Sequence, residues 1–81
     1  LTKKITLIIN DWNPIEIYPL LDIEYDSEVK QIYELLTLND TKYELAEKIY
    51  QVFEKNFGKL FQNTLIECEV IAEKILNALN N

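Results

Sequence analysis

Histidine, arginine and methionine are absent from this 81-residue chain; cysteine and glycine occur once each and proline twice. Each scarcity excludes something. Without histidine there is no ordinary zinc ligand, general base or switch near neutral pH. Cys68 is the only thiol, so no disulfide can form within the chain and no thiolate zinc site can be assembled. A single unpaired thiol suits a reducing compartment, and the expected location is the cytoplasm. All eight basic residues are lysines. The residue best suited to bidentate phosphate or guanine contacts is therefore missing, and no nucleic-acid partner is expected. No run approaches the ~18 apolar residues of a membrane span, so no membrane partner is expected. Lys3 and Lys4 precede a short apolar stretch, but Thr6, Asn10 and Asp11 interrupt it and no small-residue cleavage site comes after it, which argues against a signal peptide.

What is present points to one helical domain spanning residues 1–81. Apolar residues make up 48% of the chain, enough for a single core and too many for a disordered segment. The expected fold class is all-α: a compact four-helix bundle with one long ordered connection and helices at about 2–11, 26–37, 41–57 and 64–79. Leu1, Ile5, Ile8, Ile9 and Trp12 recur at helical spacing, and Thr2 is placed to cap them. Pro14 disfavours the α region for Asn13 and stops that helix, with Trp12 plugging the bundle end. The stretch to Asp22 carries Ile15, Ile17, Tyr18, Leu20 and Leu21, too apolar for a solvated linker, so it should wrap the bundle. A strand reading of its near-alternation fails for want of a pairing partner and because of two prolines.

Asp26 or Ser27 is expected to cap the second helix, whose inward face is Val29, Ile32, Tyr33 and Leu36. Asn39 and Asp40 form the turn after it. Thr41 with Glu44, and Thr64 with Glu67, read as capping boxes opening the third and fourth helices. Leu45, Ile49, Val52, Phe53 and Phe57 form one buried stripe; Leu65, Cys68, Ile71, Ala72, Ile75, Leu76 and Leu79 form the other. Glu44 stands four residues before Lys48, the favourable order for an exposed pair. Gly58 is expected as a left-handed C-cap, with Leu60 and Phe61 folding into the core.

Charge is unevenly distributed. The net charge is −6, and no basic residue lies between Lys4 and Lys30, a stretch holding Asp11, Glu16, Asp22, Glu24, Asp26 and Glu28. Asp22, Glu24, Asp26 and Glu28 fall at every second position, as at the start of a calcium loop. Ser27 then stands where that loop needs glycine and Tyr33 where it needs a bidentate glutamate, so no metal is expected. Nothing singles out a catalytic carboxylate pair, and Cys68 lacks an activating base, sits between Glu67 and Glu69, and shares a face with Ala72 and Ile75. No catalytic residue, cofactor or enzyme activity is expected.

Trp12-Asn13-Pro14-Ile15, Pro19 and Glu24-Tyr25-Asp26-Ser27-Glu28-Val29 are followed by Val52-Phe53-Glu54, Phe57-Gly58, Phe61 and Glu67-Cys68. In order and spacing these motifs resemble the YugE-like family, small acidic proteins of Gram-positive bacteria classed as a domain of unknown function. The resemblance implies a compact helical fold and brings no catalytic residues.

The functional expectation is a non-enzymatic protein-interaction module that binds a basic protein partner. Glu16, Tyr18, Asp22, Glu24, Tyr25, Asp26 and Glu28 are the expected partner-binding residues, carboxylates steering and tyrosines anchoring. The narrower alternative is an immunity-type inhibitor of a basic toxin such as a nuclease.

Overall fold

The computed structural model describes Thr2 to Asn80 and is all-α. Four helices, α1 (Thr2–Trp12), α2 (Asp26–Leu35), α3 (Lys42–Phe57) and α4 (Leu65–Leu79), are accompanied by one 3-10 turn, Gly58–Leu60. Leu1, the first member of the expected α1 stripe, lies outside the described residues, as does Asn81. Among the described residues no helix is long and apolar enough to cross a membrane.

The helix backbones pack as a ring: α1 against α2 and α4, and α3 against α2 and α4. Diagonal elements meet through side chains at the centre. Phe53 of α3 is fully buried there, with Trp12 of α1 edge-on at 5.5 Å between ring centroids, Tyr25 at 5.9 Å, and Phe57 and Phe61 stacked at 5.8 and 5.4 Å. Ile5 and Ile9, Val29 and Ile32, Leu45, Ile49 and Val52, and Cys68, Ile71 and Ile75 supply the four inward faces.

Local chemistry accounts for most boundaries. Thr41 accepts a hydrogen bond from the Glu44 N–H, and its own N–H donates to the Glu44 carboxylate at 2.9 Å. Thr64 and Glu67 repeat this reciprocal arrangement. Each box satisfies two amide donors that a helix start leaves orphaned. Asp40 ends the turn after α2 by accepting from the N–H and hydroxyl of Thr37.

Several expectations are corrected. Neither Asp26 nor Ser27 caps α2: Tyr25 occupies the N-cap position without a side-chain cap, and Asp26 already lies in the first turn. Helix α2 ends at Leu35, short of residue 37, because Leu36 adopts an extended conformation. Lys48 pairs with Asp40 at 2.8 Å instead of with Glu44, whose carboxylate is committed to the cap. Gly58 does cap α3, its N–H donating to the Glu54 carbonyl, but its φ of 55° comes with ψ −126°, outside the left-handed helical region, and it opens the 3-10 turn. That turn leaves Leu60 exposed while Phe61 is buried. Tyr33 is exposed on α2.

Candidate functional site

The long connection from Asn13 to Tyr25 is the least regular part of the chain and the most informative. Pro14 forces the turn, and Asn13 makes it with φ 45°, a left-handed conformation that asparagine tolerates better than most residues. The Asn13 N–H donates to the Ile9 carbonyl, and the Asn13 carbonyl accepts from Glu16 N–H at 3.0 Å. Glu16 takes φ 57°. The buried Asn13 side chain then organises the rest of the turn. Its Nδ2 donates to the Ile17 carbonyl at 3.0 Å, and its Oδ1 accepts from the Ile17 N–H at 3.1 Å and from the Tyr25 hydroxyl at 2.5 Å.

Tyr25 is 0% exposed. Its hydroxyl donates to Asn13 and accepts from the Ile15 N–H at 3.1 Å, so one side chain ties the end of the connection to its beginning. Burial pushes the phenol's pKa above its usual value, against the lowering effect of the Ile15 N–H, with Glu24 and Glu28 adding to the rise. The hydroxyl therefore keeps the proton it donates to Asn13. Nearer α2, Asn10 Nδ2 donates to the Asp22 carbonyl, and Glu24 and Asp26 N–H groups close onto Leu21 and Ile23. In this way both ends of an irregular segment lying on the core find partners for much of their backbone.

Two of the expected partner-binding residues are thereby corrected. Tyr25 is a core residue, because its ring fills the space beside Phe53 and Phe57 and its hydroxyl is used internally. Glu28 is only 6% exposed and accepts a hydrogen bond from Asn56 Nδ2 at 2.9 Å, a contact between α2 and α3. Of the others, Glu16, Tyr18, Asp22 and Asp26 are exposed and Glu24 is half-buried. The four alternating acids do not converge, and among the described residues no group of three carboxylates or thiols is placed to hold a metal ion.

The sequence reading missed Leu21 and Ile23. Tyr18 is 78% exposed, Ile23 68% and Leu21 55%, three large apolar side chains in six residues of an ordered connection. A signal existed: Leu21, Asp22, Ile23 and Glu24 interleave apolar groups with carboxylates that need water, so the whole run could not be buried.

Cys68 is fully buried among α4's inward residues. Burial, with help from Glu67 and Glu69, pushes its thiol up to about 12, so it stays protonated and unreactive near neutral pH.

Beside the connection lies an open cleft of about 400 Å³ between Trp12-Asn13-Pro14-Glu16 on one wall and Leu60, Gln62, Asn63 and Glu67 on the other. The residues that carry the tryptophan–proline motif thus line a recess as well as ending a helix.

No curated protein and no solved structure gives a significant match to this chain. A family model does match, over residues 4–81, and the chain belongs to the family it describes, a domain of unknown function (DUF1871).

Proposed function

We propose that the chain is a non-enzymatic interaction module that binds a basic protein through the outer face of its long connection. The observation that carries this reading is the exposure of Tyr18, Leu21 and Ile23 beside Glu16, Asp22 and Asp26 on a segment whose backbone is tied down from within. An ordered loop that shows large apolar groups to solvent is suited to docking, because little conformational entropy remains to be lost on binding. The acids around it, with no lysine between Lys4 and Lys30, set the sign of the partner. Tyr18 and Ile23 take the anchoring role first expected of Tyr25.

An immunity-type inhibitor is the special case in which the basic partner is a toxin, and loss of the toxin's activity on mixing would identify it. The motif order supports placement among the YugE-like proteins, and the single protonated thiol supports a cytoplasmic location.

The test compares retention by immobilised parent protein and by a Tyr18→Ala/Ile23→Ser variant. A basic protein held by the parent and lost from the variant is the expected result. Its association should slow as salt rises, because steering charges are screened over ~8 Å at physiological ionic strength. Equal retention by both, or a partner without positive charge, would refute the reading.

A further inference from the structure

The cleft beside Trp12 has a neighbour. A second open recess, about 700 Å³, is lined by Glu47, Tyr50 and Gln51 of α3 and by the chain from Gln62 to Leu65. Gln62 and Asn63 line both, so the two recesses lie on either side of the connection that joins α3 to α4. Their linings share a chemistry. Glu16 and Glu67 stand in the first and Glu47 in the second; Gln51, Gln62 and Asn63 add carboxamides, while that of Asn13 is committed to Ile17 and Tyr25; Trp12 and Tyr50 add rings. None of the eight lysines lines either recess.

Each feature narrows the occupant. Carboxylates without a neighbouring lysine repel phosphate and favour a cation. Glu67 is held in place, its oxygens accepting from the Thr64 N–H at 3.0 Å and from Asn63 Nδ2 at 2.9 Å. Those bonds also lower its pKa, so it is charged at neutral pH. A carboxamide offers both donors and acceptors, which matches the alternating N–H and C=O groups of an extended peptide. A tryptophan wall favours a guanidinium or ammonium group beside it.

We propose that the two recesses form one groove for an extended basic segment of a partner protein, with a lysine or arginine side chain seated between Glu16 and Glu67 beside Trp12. The proposal rests on the reading of a basic partner and adds a second contact site, reached from the connection through Glu16. The cation is held by carboxylates at the Trp12 end, and the peptide backbone crosses Gln62 and Asn63 towards Glu47.

Trp12 is the only tryptophan, so indole fluorescence comes from this one wall, and the thermal melt separates a change in the cleft from one in its packing on Phe53. The probes are a blocked seven-residue peptide alternating arginine with serine, the same peptide with glutamine for arginine, and spermine. The arginine peptide should change the fluorescence saturably and the glutamine peptide should not. A Glu16→Gln/Glu67→Gln variant should bind it about tenfold more weakly, the scale of two partly screened ion pairs. Glutamine at position 67 preserves the capping box, and an unchanged thermal melt verifies the fold. Absence of a saturable change, equal binding by the variant, or spermine binding as tightly as the peptide would overturn the groove. Failure here is separable from failure of the connection reading. A basic partner that needs Tyr18 and Ile23 but ignores Glu16→Gln/Glu67→Gln leaves the connection standing and removes the groove.

Discussion

Replacing Asn13 by glycine tests whether one buried side chain holds the long connection. Glycine accepts the observed φ of 45°, so the substitution removes the carboxamide without adding backbone strain. Three hydrogen bonds are lost: two with the Ile17 backbone and one from the Tyr25 hydroxyl. Water can replace the first two in part, because Ile17 is half-buried. It cannot easily reach the third, since Tyr25 is fully buried. At ~1 kcal/mol net for each bond, and ~1–3 kcal/mol for a buried group left unsatisfied, the expected loss is about 3 kcal/mol. A domain of this size holds only ~4–12 kcal/mol in all, so the midpoint of thermal unfolding should fall by ~12–24 °C. Asn13→Ala should cost ~1 kcal/mol more, because alanine resists the left-handed conformation. The assay is urea and thermal unfolding by circular dichroism, run as a cycle with Tyr25→Phe. The hydroxyl of Tyr25 should matter less once its acceptor is gone, giving a coupling of ~1 kcal/mol or more. A cost under ~1 kcal/mol for Asn13→Gly, or an equal cost of Tyr25→Phe in both backgrounds, would show that Asn13 does not hold the connection.

Three further outcomes are expected. Phe53→Ala should destabilise by ~3–5 kcal/mol in the same denaturation assay, since the ring sits among Trp12, Tyr25, Phe57 and Phe61; a loss near ~1 kcal/mol would mean the site collapses. Cys68 should react with a thiol reagent slowly in the native protein and fast in denaturant. With the folded thiol at about 12, only the unfolded chain releases this proton above its ordinary pKa. Stability should therefore fall by ~1.4 kcal/mol per pH unit above about pH 8.5, and Cys68→Ala should remove that slope in pH-dependent urea melts. At Asp40, burial raises the pKa but the hydrogen bonds from Lys48 and Thr37 outweigh it and hold the carboxyl low. Its contribution is present above its unfolded pKa and fades as pH falls through the folded one, so Asp40→Asn should flatten the acid limb of the stability profile below about pH 4.

The parts of this fold that were legible in the sequence are those governed by neighbours in the chain. Thr41 with Glu44 and Thr64 with Glu67 settle two helix starts within four residues each, and the stripe through Leu45, Ile49 and Phe53 needs only a helical period. The start of α2 was misread because its cause is distant. Tyr25 is fixed by Asn13, twelve residues away, and Asp26 falls inside the helix as a result. Lys48 had two carboxylates within reach along the chain, and the capping box decided between them by engaging Glu44. At the candidate site the acids could be read, and Glu16, Asp22 and Asp26 are exposed as a charge pattern suggests. Which tyrosine stands outside could not be read, since Tyr25 is drawn inward by its bond to Asn13, a contact that nothing in the neighbouring residues marks. The lining of the Trp12 cleft comes from chain segments some fifty residues apart in sequence, and no local pattern announces that they meet.

The ring of helices also bears on how the chain acquires its structure. Because α1 packs against α4, with Lys4 Nζ donating to the Ala78 carbonyl at 3.1 Å, the first of these four helices in chain order lacks its second neighbour until the fourth exists. Until then Ile5 and Ile9 have only α2 to cover them, and the centre around Phe53 lacks one wall. Contacts between α1 and α4 span the greatest sequence separation of any helix pair here and so carry the largest loop-closure cost. The same adjacency makes the order of the helices arbitrary for the packed state. A permuted chain in which a short linker joins α4 to α1, and new ends open at the exposed Leu38-Asn39 turn, would retain every side-by-side helix contact while making α2 the last of the four helices in chain order.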